Sequence, residues 1–170
     1  MVDPASLRIV LFPAEILRRK ADPVAVVTDE VRAVARRMLE LMRDAEGIGL
    51  AAPQVGLPWR LFVTGPHEGE PERVFINPEL TEPSEELEVH EEGCLSIPNV
   101  RVEVRRPREI TISALDLDGR PFTLRRSDLL ARAWQHEVDH LNGVLIIDRM
   151  GPMDRLANRR AIRDLKSAAG

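Results

Sequence analysis

A single cysteine, Cys94, in 170 residues excludes an internal disulfide, so an oxidising compartment adds nothing to the fold. Cys94 is left with three roles: packing residue, nucleophile or ligand. No apolar run approaches the ~18 residues that read as a bilayer span. The chain opens Met1-Val2-Asp3-Pro4-Ala5-Ser6, which has neither the basic and apolar regions of a secretory leader nor an Arg/Ser-rich transit composition. The expected location is therefore cytoplasmic, with no membrane partner. Internal repeats and low-complexity linkers are also lacking. The chain fits one domain, residues 1–170, and a length of this order buries about 70% of the unfolded surface.

The net charge of −4 is unevenly spread. Residues 67–92 hold ten glutamates against one arginine, Arg73, a balance of −9. Residues 151–170 hold Arg155, Arg159, Arg160, Arg163 and Lys166 against two aspartates, a balance of +3. A polyanion-facing tail and a solvated helix face both account for this pattern.

Residues 7–11 read as a short strand, and Pro13 as the start of a helical turn through Lys20. Thr28 suits the N-cap of a long helix, whose stripe Val31, Val34, Ala35, Met38, Leu41, Met42 faces a core. Gly47 and Gly49 end it. From Trp59 to Arg126 the period changes to two, with strands expected at 59–63, 73–76, 86–90, 100–105, 109–116 and 121–126. Asp118-Gly119 marks a hairpin between the last two. Ser127 is the expected cap of a second helix, with Asp128 in its first turn, running to about Leu141 and stopping at Gly143. A strand at 144–147 and a C-terminal helix from Pro152 complete the pattern. The expected fold class is α+β: mostly antiparallel strands surrounding a central helix, with an N-terminal and a C-terminal helix.

That central helix carries His136-Glu137-Val138-Asp139-His140. Histidines four apart lie on one helix face and can grip one metal ion, and the glutamate beside the first can reach a water on that ion. The arrangement suits metal-assisted hydrolysis of an amide or a similar carbonyl. Leu129, Ala133, His136 and His140 share the apolar side of the helix, where neutral imidazoles need partners that a metal supplies. Two histidines leave a tetrahedral catalytic site one protein ligand short. No Cys, His or Glu follows the motif, so the third ligand lies upstream. His67 sits in a Gly/Pro/Glu-rich loop. Cys94 stands between Glu91-Glu92-Gly93 and Leu95-Ser96-Ile97-Pro98; a thiolate there completes a Cys/His₂ site, and a small buried hydrophobe is the alternative. A thiolate also admits redox-active metals, so Fe²⁺, Co²⁺ and Ni²⁺ stand beside Zn²⁺. Asp139 lies on a different face and is expected to work through an arginine. The segment Gly47-Ile48-Gly49-Leu50-Ala51-Ala52-Pro53-Gln54 reads either as a tight, partly buried loop or as a backbone ledge for an extended peptide, with the Gln54 amide as an oxyanion donor.

Together the segments Gly47-Ile-Gly-Leu-Ala-Ala-Pro-Gln54, Glu92-Gly-Cys-Leu-Ser96 and Gln135-His-Glu-Val-Asp-His-Leu-Asn-Gly143 resemble, in order and separation, the three motifs of the peptide deformylases. The resemblance runs from Pro13 and Leu17-Arg18 to the C-terminal helix. It implies hydrolysis of the formyl group from nascent polypeptides that begin with formylmethionine, releasing formate. It implies Cys94, His136 and His140 as ligands of one divalent metal ion, Fe²⁺ by preference, and Glu137 as the catalytic carboxylate. Gln54 and the backbone N–H of Leu95 match the donors that polarise the formyl oxygen. Gly47, Ile48, Gly49 and the region from Gly93 match the strands between which the peptide lies, and Ile48 and Leu129 are candidate walls of the methionine pocket. His90 stands where the family commonly has an aliphatic pocket residue, which bears on side-chain preference. Pro13-Ala14-Glu15 departs from the usual Pro-Asp-Pro. The basic C-terminal helix is consistent with transient contact to the ribosome, a contact that would weaken steeply with salt. The competing readings are a zinc peptidase, which also uses HExxH but usually takes a downstream third ligand, and an inactive relative serving as a binding module.

Overall fold

Side chains alternate across a strand, and that alternation decides where the two main helices lie. The computed structural model describes all 170 residues. Helix α1 (Asp29–Asp44) is capped by Thr28, whose side chain accepts from Val31 N–H. Five strands, β1 (Gly49–Ala51), β2 (Leu61–Thr64), β3 (Arg73–Thr81), β6 (Ile110–Leu115) and β7 (Pro121–Arg126), form one antiparallel sheet in the order β1-β2-β3-β6-β7. Leu50, Leu61, Val63, Val74 and Ile76 point to one face and pack with Val31, Val34, Met38 and Met42 of α1. Ala51, Phe62, Phe75 and Ile112 point to the other and pack with Leu130, Trp134, Val138 and Leu141 of helix α2 (Leu129–Leu141).

Strands β4 (Leu87–Cys94) and β5 (Ile97–Pro107) form a separate antiparallel hairpin. Its inward residues Ile97, Val100, Val102 and Val104 make a third core with Phe12, Leu17, Leu145 and Ile146. Helix α2 therefore runs between the five-stranded sheet and this hairpin, the central helix of an α+β fold. The Asp118-Gly119 turn joins β6 to β7, with Gly119 at φ +76°. Strand β3 passes Pro78 by a register shift between Ile76 and Glu79, as a proline inside a ladder requires.

Four expectations are corrected. Residues 7–11 form no strand: Val10 N–H donates to Gln54 O and Phe12 N–H to Ser96 O, single bonds to two different segments rather than a ladder. Residues 144–147 form no strand either. Asp148 accepts from Leu145 N–H at 2.8 Å and pairs with Arg18, and this local bond winds Ile146–Arg149 into a 3-10 turn. Asp128 rather than Ser127 caps α2, accepting from Leu130 N–H. The C-terminal helix is two helices, α3 (Pro152–Ala157) and α4 (Arg159–Ala169), broken at Asn158. The Asn158 amide donates to Arg101 O at 2.8 Å and to Asp154 O at 2.9 Å, tying the break to β5.

Gly143 ends α2 at φ +74°, and a Cβ there would lie 2.4 Å from Arg18 O, a backbone atom that cannot swing away. Gly143→Ala is expected to cost at least about 2 kcal/mol through the left-handed backbone alone. Thermal unfolding should shift down by roughly 4–8 °C; an unchanged midpoint would mean that the turn relaxes freely.

Candidate metal centre

Helix α2 offers His136 and His140 one turn apart, and the last residue of β4 offers Cys94 opposite them. Cys94 Sγ is 3.4 Å from His140 Nε2, which is 3.2 Å from His136 Nε2. The three donor atoms lie within 4.8 Å of one another. With metal–sulfur near 2.3 Å and metal–nitrogen near 2.0–2.1 Å, the edges of a tetrahedron are roughly 3.3–3.6 Å, so this donor set fits a bound divalent ion. His67 is elsewhere, 3.9 Å from both Glu68 and Asp128.

The sequence did not disclose what orients these ligands. Glu92, buried on β4, accepts from His136 Nδ1 at 2.9 Å. A carboxylate can only accept, so Nδ1 carries a proton and Nε2 is the ring nitrogen turned toward Cys94 and His140, the one available to a metal. Glu92 also accepts from Arg106 Nε and Nη2 at 2.7 and 2.9 Å, and from Arg132 Nη1 at 2.7 Å. Arg106 continues to Asp139 at 2.9 Å, which Arg149 grips through both carboxylate oxygens. Asp139 thus works through arginines, as its helix face suggested. Burial opposes the charge on Glu92, but the bonds from Arg106 and His136 outweigh it and hold the carboxyl well below the ordinary range. Burial keeps His140 well below the usual imidazole range, in the neutral form that ligates a metal.

Two signals in the sequence could have found this network. Along β5 the residues Val100, Val102 and Val104 alternate inward, so Arg106 occupies the next inward position. A buried arginine needs a carboxylate, and Glu92 takes an inward place on the partner strand, opposite Val102, within reach of Arg106.

Glu137 is buried against β1. A Cβ on Gly49 would lie 2.6 Å from its Oε1, so glycine is the residue that admits this carboxylate. Burial raises its pKa to about 7, with the neighbouring His136 pulling the other way. Its Oε2 is buried with no hydrogen-bond partner in the chain. Gln54 follows β1 in a 3-10 turn; its Oε1 accepts from Ala51 N–H, which aims Nε2 at Ser96 Oγ (3.1 Å) and Cys94 Sγ (3.5 Å). Leu95, in the β4–β5 turn, has an N–H that no backbone acceptor engages.

These groups face a cleft of about 530 Å³. Gly47, Ile48 and Gly49 line one wall, with β1 forming an unpaired sheet edge; Gly93, Cys94 and Leu95 line the other. Leu129 and Ala133 close it along α2. The segment 47–54 is therefore a tight turn, buried from Gly49 onward, whose first three residues line the cleft. His90 is corrected: it shares the face of β4 that Glu92 occupies, but it lies two residues farther from Cys94, where it is exposed beside Glu88 and does not line the cleft.

The pattern of the polypeptide deformylases matches residues 6–156. The chain belongs to that family. It is 51% identical to the peptide deformylase of Thermosynechococcus vestitus over 138 residues, 79% of this chain and 73% of that protein. It is 46% identical to the enzyme of Borreliella burgdorferi, over 84% of this chain and 86% of that one. Among solved structures, plant peptide deformylase PDF1B superposes with a TM-score of 0.93 at 37% identity, covering 99% of this chain and 94% of that one. A peptide deformylase from Synechococcus elongatus, in complex with actinonin, superposes at 0.86 with 42% identity over 98% and 88%. As a deformylase the chain is a metal-dependent hydrolase.

The contact between Gly49 and Glu137 is open to a direct test. Gly49→Ala should leave the metal content unchanged and displace the Glu137 carboxylate, the candidate acid–base group, lowering kcat by about 100-fold; elemental analysis alongside turnover checks both. Full activity in that variant would show that the carboxylate has room to move.

Proposed function

We propose that Cys94, His136 and His140 hold one divalent metal ion and that the cleft above them seats the formylated end of a polypeptide. The activity is that of the family: hydrolysis of the N-formyl group from polypeptides beginning with formylmethionine, with release of formate and a free amine. The observation that carries this reading is the partnerless Oε2 of Glu137, buried beside the three converging ligand atoms and facing the same cleft as the Gln54 amide.

The peptide is proposed to lie as an added strand between the free edge at 47–49 and the Gly93–Leu95 segment, held by main-chain hydrogen bonds. Ile48 and Leu129 take its first side chain. When bound, the metal supplies Lewis acidity, making water at the site more acidic and polarising the scissile carbonyl. Glu137 receives a proton from the attacking water and returns one to the leaving amine, a task suited to a carboxyl near 7. The Gln54 Nε2–H and the Leu95 N–H donate to the formyl oxygen as negative charge gathers there. Losing one such donor typically costs about 3–4 kcal/mol of barrier. Ser96 and Ala51 keep the Gln54 amide in that orientation beforehand.

Fe²⁺ is the proposed ion, from the resemblance to ferrous bacterial enzymes; the Cys/His₂ set also accepts Zn²⁺, Ni²⁺ and Co²⁺. Residues 1–170 are proposed to act as one domain in the cytoplasm; no helix is long and apolar enough to cross a membrane. On α4, Ala161, Ile162 and Leu165 pack inward, leaving Arg159, Arg160 and Arg163 exposed with Arg155 of α3. That basic face is the proposed site of transient ribosome contact.

Formyl-Met-Ala should release formate, and the unformylated dipeptide should stay intact; cleavage of internal peptide bonds with formyl-Met-Ala untouched would overturn the assignment. Glu137→Ala should keep its metal and lose roughly 10²–10⁴ in kcat, and full turnover in that variant would remove Glu137 from the mechanism. Anaerobic purification followed by elemental analysis and metal-by-metal assay tests the ferrous preference. Full activity restored by zinc alone would refute it.

A further inference from the structure

Leu129, Arg132, Ala133 and His136, spaced i, i+3, i+4 and i+7, form one stripe of α2, and all four line the cleft. Leu129 and Ala133 suit an apolar wall, and His136 faces Cys94 and His140. Arg132 is the charged member, yet its side chain is only 11% exposed. Its donors are spent on three acceptors: Glu92 Oε2 at 2.7 Å and Val104 O at 3.0 Å through Nη1, and Glu88 O at 2.8 Å through Nη2. Glu88 and Glu92 lie on β4 and Val104 on β5, so one guanidinium staples the helix to both strands of the hairpin. Glu92 is also the acceptor for His136 Nδ1. Arg106 binds Glu92 too, but it is shared with Asp139, whereas the ion pair of Arg132 is with Glu92 alone.

We infer that Arg132 is a positioning residue that acts through Glu92: it fixes the carboxylate that orients His136, while its stem forms part of the cleft wall. The metal ligand and the substrate wall are thereby set by one side chain. The inference deepens the proposed reaction and rests on its ligand set.

Arg132→Met keeps the stem and removes the donors. With Co²⁺ as the probe, its dissociation constant should rise about 10-fold, the low end of the effect of losing an outer partner of a ligating histidine, because Glu92 keeps its bonds from Arg106. The visible absorption of the Co²⁺ protein should shift, and kcat for formyl-Met-Ala should fall while KM stays within about threefold. A purely structural role would lower thermal stability and leave the affinity and spectrum of the folded protein unchanged, and that result would overturn the inference. Arg132→Lys restores a charge with single-point geometry and should recover part of the affinity. If Arg132→Met does not fold, Arg132→Lys decides the matter alone, a weaker affinity supporting the role and a wild-type affinity and spectrum refuting it. Cys94→Ala separates the two levels. Binding that survives it overturns the ligand set; binding that it abolishes but Arg132→Met leaves intact overturns the role of Arg132 only.

Discussion

A sulfur from a hairpin and two nitrogens from a helix can share one ion only if the hairpin and the helix keep a fixed separation. Apolar packing alone does not set that separation, because the inward faces of β5 and α2 belong to different cores. The chain of Arg132, Glu92, Arg106, Asp139 and Arg149 crosses the gap instead. Each buried charge in it is costly to desolvate, and the network is weak evidence of stability for that reason. Its value is geometric: removing one member leaves another charge buried and unpaired, so only one arrangement of helix and hairpin satisfies all of them.

The sheet serves the same end from the other side. Because β1 is three residues long and sits at the edge, its backbone is paired with β2 on one side, and on the other Ala51 N–H is taken by the Gln54 side chain. Leu50 and Ala51 anchor it in two cores, while Gly49 brings its backbone against Glu137 without a side chain between. The edge strand, the Glu137 carboxylate and helix α2 are thus in direct contact, and the 3-10 turn that follows delivers Gln54 from the same short segment.

How much of this was legible in the chain depends on the kind of signal. The helical stripe of α1, the period-two strands and the Asp118-Gly119 turn are local patterns, and the elements they predict are present. The three motifs located Cys94, His136, Glu137 and Gln54 along a single cleft, with His140 buried beside Cys94 and His136. Residues 7–11 and 144–147 failed as strands because an apolar run states burial, not its partner: one segment bonds two different neighbours, and the other is wound by Asp148. His90 failed because a motif position does not tell how far along its strand the cleft reaches. The supporting shell was hidden for a related reason. Arg132, Arg106 and Glu92 are far apart in sequence, and an arginine on a helix reads as solvated until its neighbours are known.

Glu92 and Glu137 show most plainly what position does to identical chemistry. Both are buried, both adjoin His136, and burial alone pushes each toward the neutral acid. Glu92 receives two arginines and an imidazole, which leave it ionised and immobile. Glu137 receives nothing at Oε2 and titrates near 7. A carboxylate saturated with donors can hold a ligand in place but has no capacity to take a proton. One left unpaired can exchange a proton but holds nothing. Two glutamates whose environments drive their pKa values apart is how a single amino-acid type supplies both functions in one site.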